Sequence, residues 1–373
     1  MHVLRMIVHS NIVLGACTLC VSAFAAAAEI DPVTGIDLVT ITSPGNRPWV
    51  APPGVPLGDA SGVVDYEYRI GRSEVTSAQW VEFFNAAYDR PASERLPFVR
   101  VPQFWGGIGT TPNTPGGQRW TTTAQSALLP VGDISWRMAA MYCNWLHNGK
   151  SLDRNAFLSG AYDVSTFGES TPGDVRTWTD QAARSPGARY FIPTRNEWMK
   201  AAHYDPNKIN ADGSVGGWWV YSNSSDTPYV YGPPGAMVNG QLTNANAGWV
   251  RGGAFGDFAD PYTVQLGAYS ATSPWGLIDV AGGSAEWLED IRVLQGGADR
   301  VRRFDGSYRS SSPSLSVVLL DTPGGVAGEY PNIPTSEFGF RVAAVVPAPA
   351  PCVVLGAGLF MYGARRRRST ACR

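Results

Sequence analysis

The segment that decides the fold is "SPWGLIDVAGGSAEWLED", residues 273–290. It places Asp279 and Glu286 on either side of the Gly282-Gly283 pair, just before Trp287. Three interpretations are open: a general acid/base pair, solvent-facing turn acids, or a loop that binds a hard cation through carboxylate and backbone carbonyl oxygens. No histidine lies in this stretch, and glycines let a loop fold its carbonyl groups toward one point. The rest of the chain has to discriminate among the three.

Composition indicates a folded, loop-rich protein. Of 373 residues, 44% are apolar and 16% are charged, which excludes a disordered solvating chain. The chain contains 42 glycines, 28 prolines and 13 tryptophans, a composition typical of irregular backbone held by large aromatic side chains.

The first 28 residues have the pattern of an export signal. Arg5 precedes an apolar run at 12–24, and small residues lead to a cleavage site near Ala28. The alternative is a lipoprotein signal at "LGAC", residues 14–17, although the residues that follow stay apolar where a lipoprotein normally turns polar. We expect an exported protein of the cell envelope or extracellular surface.

The C-terminal residues 346–373 form a second processing segment. "VPAPAP" is followed by the apolar run 352–364 and by four arginines at 365–368. A helix over that run spans about 20 Å, less than the roughly 30 Å of a bilayer core, so it predicts a membrane contact before processing rather than a permanent anchor. The alternative is an ordinary apolar helix with a basic end.

These two ends change the charge and the cysteine count of the body. Removing them takes away six arginines and no acidic residue, so the net charge falls from −2 to about −8. A nucleic-acid partner is therefore not expected. Cys143 is the only cysteine at 29–345, which excludes a disulfide within the body.

The body reads as one domain of few helices and short strands. Alternating residues predict strands at 36–46 and 62–76. Thr76 with Gln79, Ser135, and Thr194 with Glu197 are N-terminal capping patterns that predict three short helices. Residues 206–246 have loop chemistry, and further short strands are predicted at 292–294, 316–320 and 340–346.

The body resembles the formylglycine-generating enzyme, or sulfatase-modifying factor, family. Five segments occur in the family's order: "EVTSAQWVEFFNA" (74–86), "PVGDISWRMAAMYCNWL" (130–146), "IPTRNEWMKAA" (192–202), "SPWGLIDVAGGSAEW" (273–287) and "FGFRVA" (338–343). The resemblance implies a single α+β, C-type-lectin-like domain over 29–345. The tail resembles a PEP-CTERM sorting segment, although Ala348 replaces the usual glutamate. It implies signal peptidase and an exosortase-like enzyme as partners.

The resemblance also implies calcium. In the family the opening segment wraps the ion with positions that correspond to Asp279, Gly282, Ser284 and Glu286, and Gly283 and Ala285 replace the usual Asn and Trp. A second implied site uses Asn246, the carbonyl group of Ala247 and one of Asp257 or Asp260.

The copper chemistry of the family is not expected. Its formylglycine-forming members use two cysteines near the C-terminal part of the domain, and residues 292–314 contain none. Serines cannot replace a thiolate pair that holds Cu(I). Cys143 is predicted to be a small buried residue. His147 and His203 lie on separate predicted helices and do not suggest an iron site.

Three functions remain open. The first is a binding or structural module without oxidase activity, with a surface polysaccharide or protein as ligand. The second is an enzyme with a different oxidative site that uses acids and arginines such as Arg302, Arg303 or Arg309. The third is a carbohydrate- or matrix-binding protein, for which Trp218 and Trp219 in a glycine-rich segment are the candidate contacts.

Overall fold

The computed structural model describes residues 29–50, 61–110, 119–171, 177–246, 264–293, 300–305, 327–334 and 338–347. The predicted export signal, residues 348–373 of the predicted sorting tail and the strand at 316–320 lie outside these ranges, as do the candidate residues Ala247, Asp257, Asp260 and Arg309. Among the described residues, no helix has both the length and the apolar character needed to cross a membrane.

Four α-helices and seventeen short strands make up the regular structure of the described ranges. The helices are α1 Ser77–Ala87, α2 Trp136–His147, α3 Asn155–Leu158 and α4 Arg195–His203, with 3₁₀ turns at Ala92–Glu94 and Val164–Thr166. The strands are β1 Glu29–Ile30, β2 Asp37–Ile41, β3 Tyr68–Gly71, β4 Ile108–Gly109, β5 Trp120–Thr121, β6 Glu169–Ser170, β7 Thr177–Trp178, β8 Tyr190–Phe191, β9 Tyr204–Ile209, β10 Val215–Trp218, β11 Met237–Val238, β12 Gln241–Leu242, β13 Ala285–Val293, β14 Arg300–Asp305, β15 Ala327–Glu329, β16 Phe338–Gly339 and β17 Ala343–Val345. This composition confirms the α+β prediction.

Two sheets organise the domain. The first has the order β1-β2-β3-β17-β8 and is antiparallel throughout, so it joins the N-terminal strands to the last strand of the body. The second has the order β15-β14-β13-β16 and contains one parallel pair, β13 with β16. The segment that carries Asp279, the two glycines and Glu286, residues 279–286, is called the acid-and-glycine segment. Strand β13 begins within it at Ala285, so this segment is anchored directly to a sheet.

The three longer helices begin where the capping patterns predict. The Thr76 hydroxyl accepts from the Gln79 amide at 3.2 Å, and the Thr194 hydroxyl accepts from the Glu197 amide at 3.2 Å. In both cases the side chain at the third helical position returns a hydrogen bond to the cap, which completes a capping box. Ser135 caps α2 by accepting from the Met138 amide at 3.2 Å.

Large aromatic side chains fill the space between the helices and the first sheet. Trp80 of α1 stacks on Tyr142 of α2, with ring centroids 5.5 Å apart, and meets the edge of Phe340 at 6.3 Å. Trp80, Trp145 and Trp198 are all buried, as the apolar helix faces predict. The core therefore packs helix α1, near residue 80, against the C-terminal part of the body, near residue 340.

The predicted loop at 206–246 is wrong in part. Strands β9 and β10 form a hairpin, with Tyr204 paired to Trp218 and Ile209 paired to Val215. Strands β11 and β12 form a second, two-residue hairpin. Helix α4 ends at His203, before Pro206, and Pro206 lies inside β9. The glycines that suggested a loop instead allow the irregular register of the β9–β10 pair.

Candidate functional site

The acid-and-glycine segment has three residues with positive φ just before strand β13. Asp279 has φ 52°, and Gly282 and Gly283 have φ 108° and 61°. A Cβ atom at Gly283 would lie 2.5 Å from the Oε1 atom of Glu74, so a larger residue here would require the buried Glu74 carboxylate to move.

Glu286 is the buried acceptor for a buried arginine. Its Oε1 atom accepts from Nη2 of Arg341 at 2.9 Å, and its Oε2 atom accepts from Nε1 of Trp198 at 2.7 Å. Glu286 is 1% exposed and Arg341 is fully buried. This pair links β13, α4 and the segment after β16, and it neutralises the guanidinium inside the protein.

The remaining nitrogen donors of Arg341 are also used. Nη1 donates to the carbonyl groups of Gly71 at 3.0 Å and Arg72 at 2.7 Å, and Nη2 donates to the carbonyl group of Ile278 at 3.2 Å. Arg341 therefore ties the end of β3 to the acid-and-glycine segment. A buried guanidinium with all its nitrogens bonded has a fixed position.

Glu74 is a site residue that the sequence analysis missed. It precedes α1, and both of its carboxylate oxygens accept from the Ser284 amide, at 3.1 and 3.2 Å. Burial, and then the neighbouring Glu286, raise the pKa of Glu74 well above its ordinary value. In the sequence, Glu74 stands 210 residues from Ser284. The only indication of its role in the sequence is its place at the start of the family-like segment 74–86, two residues before the capping Thr76.

Asp279 and Asn246 make two further hydrogen bonds at this segment. The Oδ2 atom of Asp279 accepts from the Gly267 amide at 2.6 Å, and burial raises its pKa to about 6. The Oδ1 atom of Asn246 accepts from the Gly283 amide at 3.0 Å. Asp279 and Asn246, which the resemblance assigns to two different calcium sites, thus each accept a hydrogen bond from a backbone amide.

These contacts test how the residues fit a calcium ion. Calcium at Glu286 would compete with Arg341 for one carboxylate and would place a dication beside a guanidinium. Asp279 fits better, because its Oδ1 atom accepts no hydrogen bond from the described residues. Among those residues, no three His, Cys, Asp or Glu side chains are grouped to hold a metal ion. Calcium here would depend on Asp279 and on backbone carbonyl groups.

A second group of charged side chains lies where α4 meets β13. Arg184 donates to Glu197 at 2.8 Å and to Glu289 at 3.0 Å, and the Tyr162 hydroxyl donates to Glu289 at 3.0 Å. Burial raises the pKa of Glu289 to about 7, outweighing the opposite effect of Arg184. This network was not predicted, because its members come from four separate segments.

The single cysteine and the two histidines of the body have structural surroundings. Cys143 is buried in α2, and burial raises the pKa of its thiol well above the ordinary value. The His203 ring lies 3.1 Å from the Trp219 carbonyl oxygen, and burial lowers its pKa to about 4. The His147 ring accepts from the Arg189 amide at 3.0 Å.

The candidate ligand contacts Trp218 and Trp219 differ in exposure. Trp218 is 6% exposed and packs against Tyr204, with ring centroids 5.2 Å apart. Trp219 is partly exposed, and its Nε1 atom donates to Asp205 at 3.1 Å while the Lys208 ammonium lies 3.8 Å from the ring centroid. Of the two, Trp219 is the one that reaches the surface.

Comparison with known proteins identifies the family. A family model described as the sulfatase-modifying factor enzyme 1-like domain matches residues 59–346, and the chain belongs to this family. A search of curated proteins found no match.

Three solved structures are similar over most of the chain. CarF is 21% identical, with a TM-score of 0.45, over 84% of this chain and 100% of that one. Treponema denticola variable protein 1 is 16% identical, with a TM-score of 0.42, over 83% and 95%. PvdO from Pseudomonas aeruginosa is 15% identical, with a TM-score of 0.37, over 83% and 92%.

Proposed function

We propose that this chain is an exported, surface-associated member of the family that serves as a binding or structural module and lacks the copper-dependent oxidase activity. The observation that supports this proposal is the cysteine content: Cys143 is the only cysteine between residues 29 and 345. Oxidation of a substrate cysteine at Cu(I) needs a pair of soft thiolate ligands.

Cys143 does not supply half of such a pair. It is fully buried in α2, among the aromatic side chains of the core, and its raised pKa keeps it in the thiol form. A substrate peptide has no path to it without unfolding the helix. The scaffold motifs are retained, and their side chains are used for internal contacts such as Glu286 with Arg341.

The test is a direct assay of the purified protein. It is incubated with Cu(I), oxygen and a cysteine-containing sulfatase peptide, and aldehyde formation is followed by mass spectrometry. We expect no aldehyde product, with a copper-loaded formylglycine-generating enzyme as the positive control. Catalytic turnover that persists after removal of trace contaminants would end the proposal.

A further inference from the structure

The two ends of the body meet at one guanidinium group, that of Arg69 in β3. Its Nε atom donates to the carbonyl group of Val345 at 3.1 Å, and its Nη2 atom donates to Asp31 at 3.1 Å. Its Nη1 atom lies 3.5 Å from the Oε1 atom of Glu29. Glu29 begins β1 and Val345 ends β17. Because the Arg69 side chain is only 5% exposed, its position is fixed and it holds the two ends side by side.

Exposed apolar side chains lie at this meeting point. We call them the end patch, and they are Ile30, Val33, Val345 and Val346, with exposures of 59%, 43%, 43% and 37%. Ile30 precedes Asp31 in the chain, and the Val33 amide donates to Asp31 at 3.1 Å. Single exposed apolar residues are ordinary, but a group of them marks a surface that contacts a protein or a membrane.

Arg189 lies beside the end patch although it is far from both ends along the chain. Its carbonyl group accepts from the Val345 amide at 3.1 Å, and the neighbouring Tyr190 hydroxyl donates to Asp31 at 2.8 Å. Arg189 is exposed, and its guanidinium donates to the carbonyl group of His147. An exposed guanidinium next to aliphatic side chains matches the surface of a phospholipid bilayer, where phosphate groups lie above acyl chains.

The sequence on each side of the body favours a bilayer over a soluble partner. The apolar run 12–24 ends five residues before Glu29, and the apolar run 352–364 begins six residues after Val346. Six residues span at most about 20 Å of chain. A tail inserted in a bilayer therefore keeps the end patch within that distance of the lipid headgroups. A soluble partner is not tethered to the patch in this way.

We propose that the end patch contacts the lipid bilayer while the C-terminal tail is inserted in it. This inference names the partner of one surface of the module, and it rests on the surface association in the proposed function. The net charge of the body is about −8, so anionic lipid does not attract it. The contact depends instead on the tether, on burial of the apolar side chains and on the lipid phosphate at Arg189. Cleavage of the tail frees the patch.

The experiment maps the lipid contact of the full chain in phosphatidylcholine nanodiscs that contain a diazirine phospholipid. Crosslinked residues are located by peptide mass spectrometry. Arg189 is the decisive site, because its distance along the chain from both apolar runs prevents labelling by mere connection to them. The variant is Val33→Asp, with Val33→Leu as the conservative exchange. The matched control is Val215→Asp, at a valine that is 66% exposed and outside the end patch.

We expect strong crosslinking at Arg189 and little at Val215. Val33→Asp should lower the yield at Arg189 roughly 10-fold, the factor that corresponds to losing the burial of one valine. Val33→Leu and Val215→Asp should keep the wild-type yield, and thermal unfolding should show the variants folded. The crosslinks should persist when phosphatidylglycerol replaces part of the phosphatidylcholine. If Val33→Asp does not fold, the wild-type yields at Arg189 and Val215 still decide.

The contrary outcomes separate this inference from the proposed function. A chain that enters the nanodiscs but is labelled equally at Arg189 and Val215 would overturn the inference alone. Crosslinks at Arg189 that a folded Val33→Asp variant leaves unchanged, or that appear only with phosphatidylglycerol, would also overturn it. A chain that stays off the nanodiscs would overturn it together with the proposed surface association. Aldehyde formation in the copper assay would contradict only the proposed lack of oxidase activity.

Discussion

The carboxylate of Glu286 and the guanidinium of Arg341 lie 2.9 Å apart in the interior, with every nitrogen of Arg341 hydrogen-bonded to protein oxygen atoms. One partner stands at the start of β13 and the other between β16 and β17. The pair therefore connects the two sheets. Its members belong to two of the five segments that carry the family resemblance. The buried ion pair is therefore a structural contact between these two segments.

Removing one charge of this pair should strongly destabilise the fold. Glu286→Gln leaves the Arg341 guanidinium buried and unneutralised, and we expect a loss of about 3–5 kcal/mol in the free energy of unfolding. Urea unfolding followed by tryptophan fluorescence measures it. The control is Glu82→Gln, which breaks the Lys150 pair at a half-exposed side chain and should cost about 0–1 kcal/mol. Equal losses in both variants would contradict the assigned role.

Calcium should act through Asp279 rather than through Glu286. We expect calcium to raise the thermal midpoint of the wild-type protein, because the Oδ1 atom of Asp279 accepts no hydrogen bond from the described residues. At a concentration 100 times Kd the gain would be about 2.7 kcal/mol. Differential scanning calorimetry with calcium and with EDTA measures the shift.

The variant Asp279→Asn should lose the calcium shift. Asp37→Asn, at a partly exposed carboxylate paired with Arg72, is the matched control and should keep it. A thermal midpoint of the wild type that is the same with calcium and with EDTA would contradict calcium binding at this loop.

Local sequence patterns predicted the helix starts well, because capping is decided within four residues. Thr76, Ser135 and Thr194 cap their helices as predicted. Local patterns could not predict the long-range hydrogen bonds of the candidate site. Arg341 follows Glu286 by 55 residues and Ser284 follows Glu74 by 210, and neither distance leaves a local trace in the sequence.

The hairpins at 204–218 and 237–242 were missed for a different reason. Gly, Asn and Asp residues in that region are typical of turns, and Pro206 weakens any strand pattern. The β9–β10 pair forms nevertheless, because Tyr204 and Trp218 pack together as cross-strand neighbours. Tertiary packing here outweighs local propensity.

The stability of the fold should depend on pH through Glu289. Burial raises its pKa to about 7 from the ordinary 4.5, so the folded protein binds a proton that the unfolded chain releases between these values. This contribution is fully present below about pH 4.5 and is lost as pH rises through about 7. The Glu289→Gln variant should lack it, so the wild type should lose stability relative to the variant as pH rises.

The slope of this difference has an upper limit. One proton gives at most about 1.4 kcal/mol per pH unit, and chemical unfolding between pH 5 and pH 8 can resolve such a slope. Glu82→Gln, at an exposed carboxylate, is the control for general charge effects. A pH-independent difference between wild type and Glu289→Gln would show that Arg184 keeps Glu289 ionised throughout.

The Cys143 thiol should be unreactive toward alkylating reagents in the native protein. Its thiol is fully buried and its pKa is raised by burial, so the reactive thiolate is scarce and covered. We expect iodoacetamide to leave Cys143 unmodified in buffer and to modify it completely in denaturant, as read by peptide mass spectrometry. Cys143→Ala should cost about 1 kcal/mol of stability, and neither the wild type nor the variant should hold copper at stoichiometric occupancy. Rapid alkylation of the native protein, or stoichiometric copper that is present in the wild type and absent from this variant, would contradict this prediction.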